Sequence, residues 1–320
     1  MLVRVRNFIG DVVLALPALE RLAARGLSLE LVGKPWLRAL LSAYDWPVHV
    51  YPARIADRVR LLRSLRDPSE APGPGRRIDA VTFATSFSSA FELRLAGWRA
   101  FGYRTEGRRL FLAESTPIRW GEHALASYWR LTSALLADPA PPPAYATLRL
   151  TAEALRRARR LCQERAIGAG YVVLVPFAGG TFEKLDKRWP HFDALAARLR
   201  AAGYTLLIVP GPNEVAEAHR RFPDAHVLEG IELDVYAALL RNATLTIAND
   251  TGPGHIAAAV GGRLLSVLGP TKVEQWGALG PRVTIVRSWP TWPSPEAVFE
   301  AALELLNRAD PPFSSAQPES

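Results

Sequence analysis

Apolar positions along the chain alternate between two styles: short β-rich runs, and longer stretches in which apolar residues recur at helical spacing. Leu2–Arg6, Ser28–Gly33, Pro47–Tyr51 and Asp79–Ala84 read as strands, while Val12–Ala24, Pro35–Ala43, Ala56–Leu65 and Ser88–Ala96 read as helices. Arg99–Tyr103 adds a strand and Glu122–Leu136 a long helix. Strands that alternate with helices of this length predict βαβ units and a parallel sheet.

The run Asp138-Pro-Ala-Pro-Pro-Pro143 interrupts the pattern, because consecutive prolines exclude helix and remove ladder donors, so a linker is expected there. The pattern then restarts. An Arg-rich helix at Ala152–Arg165 precedes Tyr171–Phe177, an apolar run that reads as a strand buried on both faces. Strands at Tyr204–Val209, His226–Leu228, Leu245–Asn249, Leu264–Leu268 and Val283–Val286 follow. They alternate with helices at His191–Ala202, Glu214–Arg221, Leu233–Arg241 and Gly254–Val260, and Pro295–Arg308 closes the series. Two α/β domains in tandem are expected, with a polar, Pro-rich and disordered tail over residues 309–320.

Length agrees with that count, since 320 residues is about two domains of chain. The single cysteine, Cys162, excludes an intrachain disulfide and any cysteine-based metal cluster. Charges or Gly/Pro interrupt every apolar run before the ~20 residues of a spanning helix, and Asp11 and Glu20 bracket the one run resembling a leader, so a cytoplasmic protein is expected. Residues 1–150 carry 21 Lys+Arg against 13 Asp+Glu, while the remainder carries 18 of each. The whole excess of +8 therefore lies in the first half. It reads either as attraction to an anionic partner or as an Arg-rich composition, only four of the 39 basic residues being Lys.

In doubly wound folds ligands bind at the carboxyl ends of the strands, so the loops after strands carry the candidate chemistry. The first, Asn7-Phe-Ile-Gly-Asp11, lacks the G-x-G-x-x-G dinucleotide fingerprint. Asp11 either caps the following helix or projects as a general base. The second runs from Pro176 to Pro190 with Gly179, Gly180, Thr181, Lys184, Lys187 and Arg188, a set suited to a diphosphate or to a solvated surface loop. Trp189 reads as packing. The third, Asn249-Asp-Thr-Gly-Pro-Gly-His255, places Asp250, Thr251, Gly252, Gly254 and His255 at a helix start, as an anion site or a capping turn. No second His or Cys stands at metal-ligand spacing. Glu214 lies in a further carboxyl-end loop, where it accepts from ribose hydroxyls or complements a helix start.

Ile9–Leu19, Asp186–Pro190 and Asn249–His255, in this order over roughly residues 1–306, together resemble glycosyltransferase family 9, the lipopolysaccharide heptosyltransferases. Residues 86–93, 96–97 and 102–104 are similar to the acceptor-domain segment of heptosyltransferase II-type members. The resemblance implies a GT-B fold of two Rossmann-like αβα domains facing across a cleft. Residues 1–150 would form the acceptor-binding domain, residues 151–308 the nucleotide-sugar domain, and the closing helix would return toward the first domain. It implies inverting transfer of L-glycero-D-manno-heptose from ADP-heptose to the inner core on lipid A, with peripheral contact at the inner membrane and no nucleic acid partner. Asp11 matches the family's base, Lys187 its phosphate-binding lysine, and Asp250, Thr251, Gly252 and His255 its donor motif. Arg188 and Gly254 lie beside these, and Thr181 and Glu214 match more loosely. No cofactor is required, and a divalent metal is not implied.

Overall fold

The computed structural model describes residues 1–66 and 78–308, so the tail expected over 309–320 lies outside the described residues. The chain divides into two compact units, one formed by residues 1–151 with 273–276 and the other by residues 152–272 with the remainder.

The first unit contains β1 (Leu2–Arg4), α1 (Ile9–Ala24), β2 (Glu30–Gly33), α2 (Leu37–Leu40), β3 (Val48–Val50), α3 (Ile55–Ser64) and β4 (Ala80–Thr82). It continues with α4 (Phe87–Leu95), β5 (Ala100–Tyr103), a 3-10 turn (Arg108–Leu110), β6 (Glu114–Thr116) and α5 (Ala124–Leu136). Its sheet has the order β3-β2-β1-β4-β5-β6, and every pair is parallel. Helix α1 is apolar on nearly all sides and correspondingly buried, packing along α5. The Pro-rich run is held onto these two helices rather than hanging free. Arg21 donates to the carbonyl and carboxylate of Asp138, and the Trp129 indole donates to the carbonyl of Ala140 at 2.7 Å.

The second unit contains α6 (Ala152–Glu164), β7 (Val172–Val175), a hairpin of β8 (Thr181–Phe182) and β9 (Leu185–Asp186), α7 (Phe192–Ala201), β10 (Leu206–Ile208) and α8 (Val215–Arg221). There follow β11 (His226–Val227), α9 (Leu233–Asn242), β12 (Leu245–Ala248), α10 (Gly252–Ala259), β13 (Leu264–Leu268), β14 (Val283–Arg287) and α12 (Pro295–Asn307). The short α11 (Val273–Trp276) clusters with the first unit. The second sheet, β11-β10-β7-β12-β13-β14, is also wholly parallel and repeats the first in order. Helix α12, implied by the resemblance to return toward the first domain, buries Val298, Ala302 and Leu305 in the core of the second unit with Trp189, Phe192 and Leu265.

Both sheets have the doubly wound order 3-2-1-4-5-6, counting the strands of each sheet along the chain, which opens a crevice where strand order reverses. That point lies between β1 and β4 in the first unit and between β7 and β12 in the second. The loops after β1, β7 and β12 singled out from sequence emerge there, whereas that of Glu214 follows β10. The hairpin within residues 176–190 was not expected as structure. Its two-residue turn, Glu183-Lys184, has positive φ at both positions, as a type I′ turn requires, but lacks the Asn-Gly signature that would announce it.

Candidate active site

In the first unit the chain leaves β1 in extended form through Phe8, the N-cap of α1. Because α1 begins at Ile9 and takes Gly10 into its first turn, Asp11 is inside the helix and makes no capping bond. The capping role weighed for Asp11 is therefore corrected: the helix starts too early for it. Asp11 is only 8% exposed, and its Oδ1 accepts from the Tyr128 hydroxyl on α5 and lies 3.1 Å from Arg6 Nε. Burial, reinforced by the charge of Asp11, pushes the Tyr128 phenol well above its ordinary pKa, so it remains a donor across the neutral range. The carboxylate is thus held between a cation and a hydroxyl 117 residues away in sequence, at the positive end of a helix.

Nearby in this unit, Arg108 is fully buried, with Nη2 3.3 Å from Ser89 Oγ and with Nε and Nη1 lacking partners. Burial lowers its pKa to about 10, which leaves it cationic at neutral pH. Glu92, within the segment read as acceptor-like, is buried and serves an internal role. It accepts from the Tyr51 hydroxyl and from Arg58 at 3.1 Å, and Arg4 stacks 4.0 Å over the Tyr51 ring.

In the second unit the loops after β7 and β12 are tied together by Asn249, which is 1% exposed. Its Oδ1 accepts from the Trp189 amide at 2.8 Å and its Nδ2 donates to the Pro176 carbonyl at 2.7 Å. Trp189 is buried as expected, and its indole donates to the Pro293 carbonyl at 2.9 Å. This frame presents Lys187 to Asp250. The Lys187 ammonium donates to the Asp250 backbone carbonyl at 3.1 Å and to its Oδ2 at 3.2 Å. Thr271, from the loop after β13, donates to the same Oδ2 at 2.9 Å, and His255 Nε2 lies 3.6 Å from Oδ1. Burial alone would raise the Asp250 pKa, but the imidazole, the Lys187 charge and the Thr271 hydroxyl outweigh it and hold it at about 2.

Helix α10 starts at this cluster with Thr251 as N-cap and Pro253 in its first turn. Thr251 makes no capping bond, and its Oγ1 and His255 Nδ1 are buried polar atoms with no hydrogen-bond partner. Neither Gly252 nor Gly254 takes a positive φ, and a Cβ on Gly254 would meet Asn249 O at 3.4 Å. The other candidates stand apart from this cluster. Arg188 is exposed and grips Asp186 through two nitrogens, Thr181 is exposed on β8, and Glu214 accepts from the Gly211 amide at 2.7 Å, closing its own turn. Among the described residues no group of three or more His, Cys, Asp or Glu is disposed to hold a metal ion, and no helix is long and apolar enough to cross a membrane.

The sequence profile of glycosyltransferase family 9 (heptosyltransferase) matches residues 77–306, well over half the chain. The chain belongs to glycosyltransferase family 9. Among curated family 9 relatives, lipopolysaccharide heptosyltransferase 3 of Escherichia coli is 32% identical over 129 residues, covering 38% of this chain and 37% of that protein. Lipopolysaccharide heptosyltransferase 1 of Pseudomonas aeruginosa is 31% identical over 176 residues, covering 53% and 46%. The chain thus spans less than half the length of these curated relatives. Over 95% of the chain the fold matches the E. coli ADP-heptose LPS heptosyltransferase II, with a TM-score of 0.78, 20% identity and 98% of that chain covered. E. coli heptosyltransferase WaaC, solved with ADP, gives 0.71 at 22% identity over 95% and 99% of the two chains. The GT-B fold of two Rossmann-like α/β domains is the fold of this family 9 member.

Proposed function

We propose that this family 9 protein transfers L-glycero-D-manno-heptose from ADP-heptose, with inversion at the anomeric carbon, to the inner core of a lipid A-linked oligosaccharide. One observation carries the donor half. At the start of α10, Lys187 and the unpartnered Thr251 Oγ1 and His255 Nδ1 converge on a helix N-terminus at the switch point of the sheet, a constellation that favours a diphosphate. In this reading residues 151–308 hold the donor and residues 1–150 the acceptor. In this reading Thr181 and Arg188, between β7 and α7, Gly252 and Gly254, at the start of α10, and Glu214, on the separate loop after β10, also serve the donor.

Asp11 takes the proton of the attacking acceptor hydroxyl as its oxygen bonds to the anomeric carbon. The bond from that carbon to the diphosphate oxygen breaks on the opposite face. ADP leaves with the electron pair, its charge met by Lys187 and the amides opening α10. Lys187 must exchange its bond to Asp250 for one to the phosphates. Asp250, ionised over the whole neutral range, keeps the lysine in place until the donor arrives. No cofactor enters this scheme. The basic first half suits a phosphorylated, acidic acceptor borne by the cytoplasmic face of the inner membrane, where contact is peripheral.

Calorimetric titration with ADP-heptose, ADP, UDP-glucose and NAD tests the donor assignment. The wild type is expected to prefer ADP-heptose, with ADP retained more weakly, and Lys187→Ala to lose about tenfold in affinity for both. Preference for UDP-glucose or NAD, or unchanged affinity in Lys187→Ala, overturns it.

A further inference from the structure

Helix α4 buries Ala90 and Leu93 in the core of the first unit and carries a second apolar face outward. Its one acidic residue, Glu92, is buried and paired to Arg58, while Phe87, Phe91 and Leu95, spaced four residues apart and so on one face, point away from the core. Phe87 and Leu95 are 44% and 45% exposed. Phe111, just after the 3-10 turn, sets its ring edge-on to Phe87 and Phe91, with centroids 5.0 and 5.3 Å away. Its neighbour Leu110 is 83% exposed. Ser89 on α4 accepts from Arg108 at 3.3 Å, which fixes the turn that carries Leu110 against the helix.

The exposed charges of this segment are predominantly positive. Between residues 86 and 112 the exposed arginines are Arg94, Arg99, Arg104 and Arg109, against one exposed carboxylate, Glu106. None of these four guanidinium groups has a hydrogen-bond or ion-pair partner among the described residues. An apolar stripe with uncommitted arginines matches the boundary between headgroups and acyl chains of an anionic bilayer, where side chains of both kinds are satisfied together.

We infer that the outer face of α4, with the 3-10 turn at Arg108–Leu110, is a docking surface for an anionic phospholipid bilayer. The aromatic and leucine side chains enter the interface, and the arginines meet lipid phosphates. This deepens the reading above by naming the face that meets the membrane. Vesicle partition reports on it without any sugar transfer, so failure of either reading is visible separately.

The test is co-sedimentation of the whole chain with vesicles of phosphatidylcholine alone and of phosphatidylcholine containing roughly one third phosphatidylglycerol. Binding to the mixed vesicles is expected to exceed binding to the neutral ones by about tenfold or more, and to fall at high salt. Reversing Arg94 or Arg109 to glutamate should cost at least about fivefold each, the effect of one basic residue at such a surface. The double variant Leu95→Asp/Leu110→Asp, altered only at exposed positions, should lose about tenfold or more while keeping the wild-type thermal transition. Arg160→Glu, an exposed arginine on α6 of the second unit, serves as the charge control and should bind within about twofold of wild type. Equal binding to the two vesicle types, or unchanged binding of the double leucine variant, overturns the proposal. So does a patch-dependent dimer in sedimentation velocity without vesicle binding, which would assign the face to a second copy of the chain.

Discussion

Replacing Asn249 by alanine removes a buried side chain that ties the loop after β7 to the loop after β12 at the switch point of the second sheet. The Trp189 amide loses its acceptor at 2.8 Å and the Pro176 carbonyl its donor at 2.7 Å, in a place where the asparagine is 1% exposed and water has little access. Each buried polar group left unpaired costs about 1–3 kcal/mol, so the pair should cost about 2–6 kcal/mol. A domain is stable by only about 5–15 kcal/mol, which makes this a large fraction for the second unit. Urea unfolding gives the total and hydrogen exchange at the Trp189 amide gives the local share. The midpoint should fall, and exchange at Trp189 should accelerate by about tenfold or more. Asn249→Asp keeps an acceptor for the Trp189 amide but sets a carboxylate oxygen against the Pro176 carbonyl, so it should protect that amide while still losing stability. An unchanged urea midpoint together with unchanged exchange at Trp189 in Asn249→Ala would refute the view that this residue holds the loops.

Two further outcomes are expected. Tyr128→Phe deletes the hydroxyl that donates to Asp11; since a hydrogen bond to a charged group contributes about 1.5–3 kcal/mol, kcat for sugar transfer should fall about tenfold or more while KM for the donor stays put. A kcat within about twofold of wild type would remove Tyr128 from the positioning of Asp11. Asp250 is held at about 2 in the folded protein against an ordinary 3.8, so its contribution to stability, about 2 kcal/mol, is complete above about pH 4 and is lost as pH falls through about 2. Unfolding free energies of wild type and Asp250→Asn measured from neutral pH downward should converge over that acid window, and parallel curves would contradict the assignment.

Both sheets were legible in the sequence because their central strands are buried on both faces and so read as short, mainly apolar runs. Val172–Val175 and Leu264–Leu268 contain no exposed residue. The edge strand Glu114–Thr116 escaped for the opposite reason: it is short, polar and partly exposed, and pairing with β5 alone defines it. The three loops were legible through their glycines, cations and helix-start residues. The contacts that give them chemistry were not, because they join distant parts of the chain. Tyr128 reaches Asp11 across 117 positions, Asn249 reaches Trp189 across 60, and Thr271 reaches Asp250 across 21, and no local pattern marks any of them. Asn249 stood inside a quoted motif without a role, and Arg108 was one arginine among many until its burial set it apart. The capping role considered for Asp11 failed on a shift of three residues in where α1 begins, which is the least readable feature of a helix.

The central claim is that this family 9 protein transfers heptose with Asp11 as the base. The measurement that tests it most directly is single-turnover transfer from ADP-heptose to a purified lipid A acceptor bearing the inner-core sugars, with wild type and Asp11→Asn side by side. The account predicts a heptosylated product of inverted anomeric configuration from the wild type. For Asp11→Asn it predicts a rate lower by about 100-fold or more, with ADP-heptose still bound. Retained configuration, no transfer by the wild type, or an undiminished rate in Asp11→Asn would contradict it.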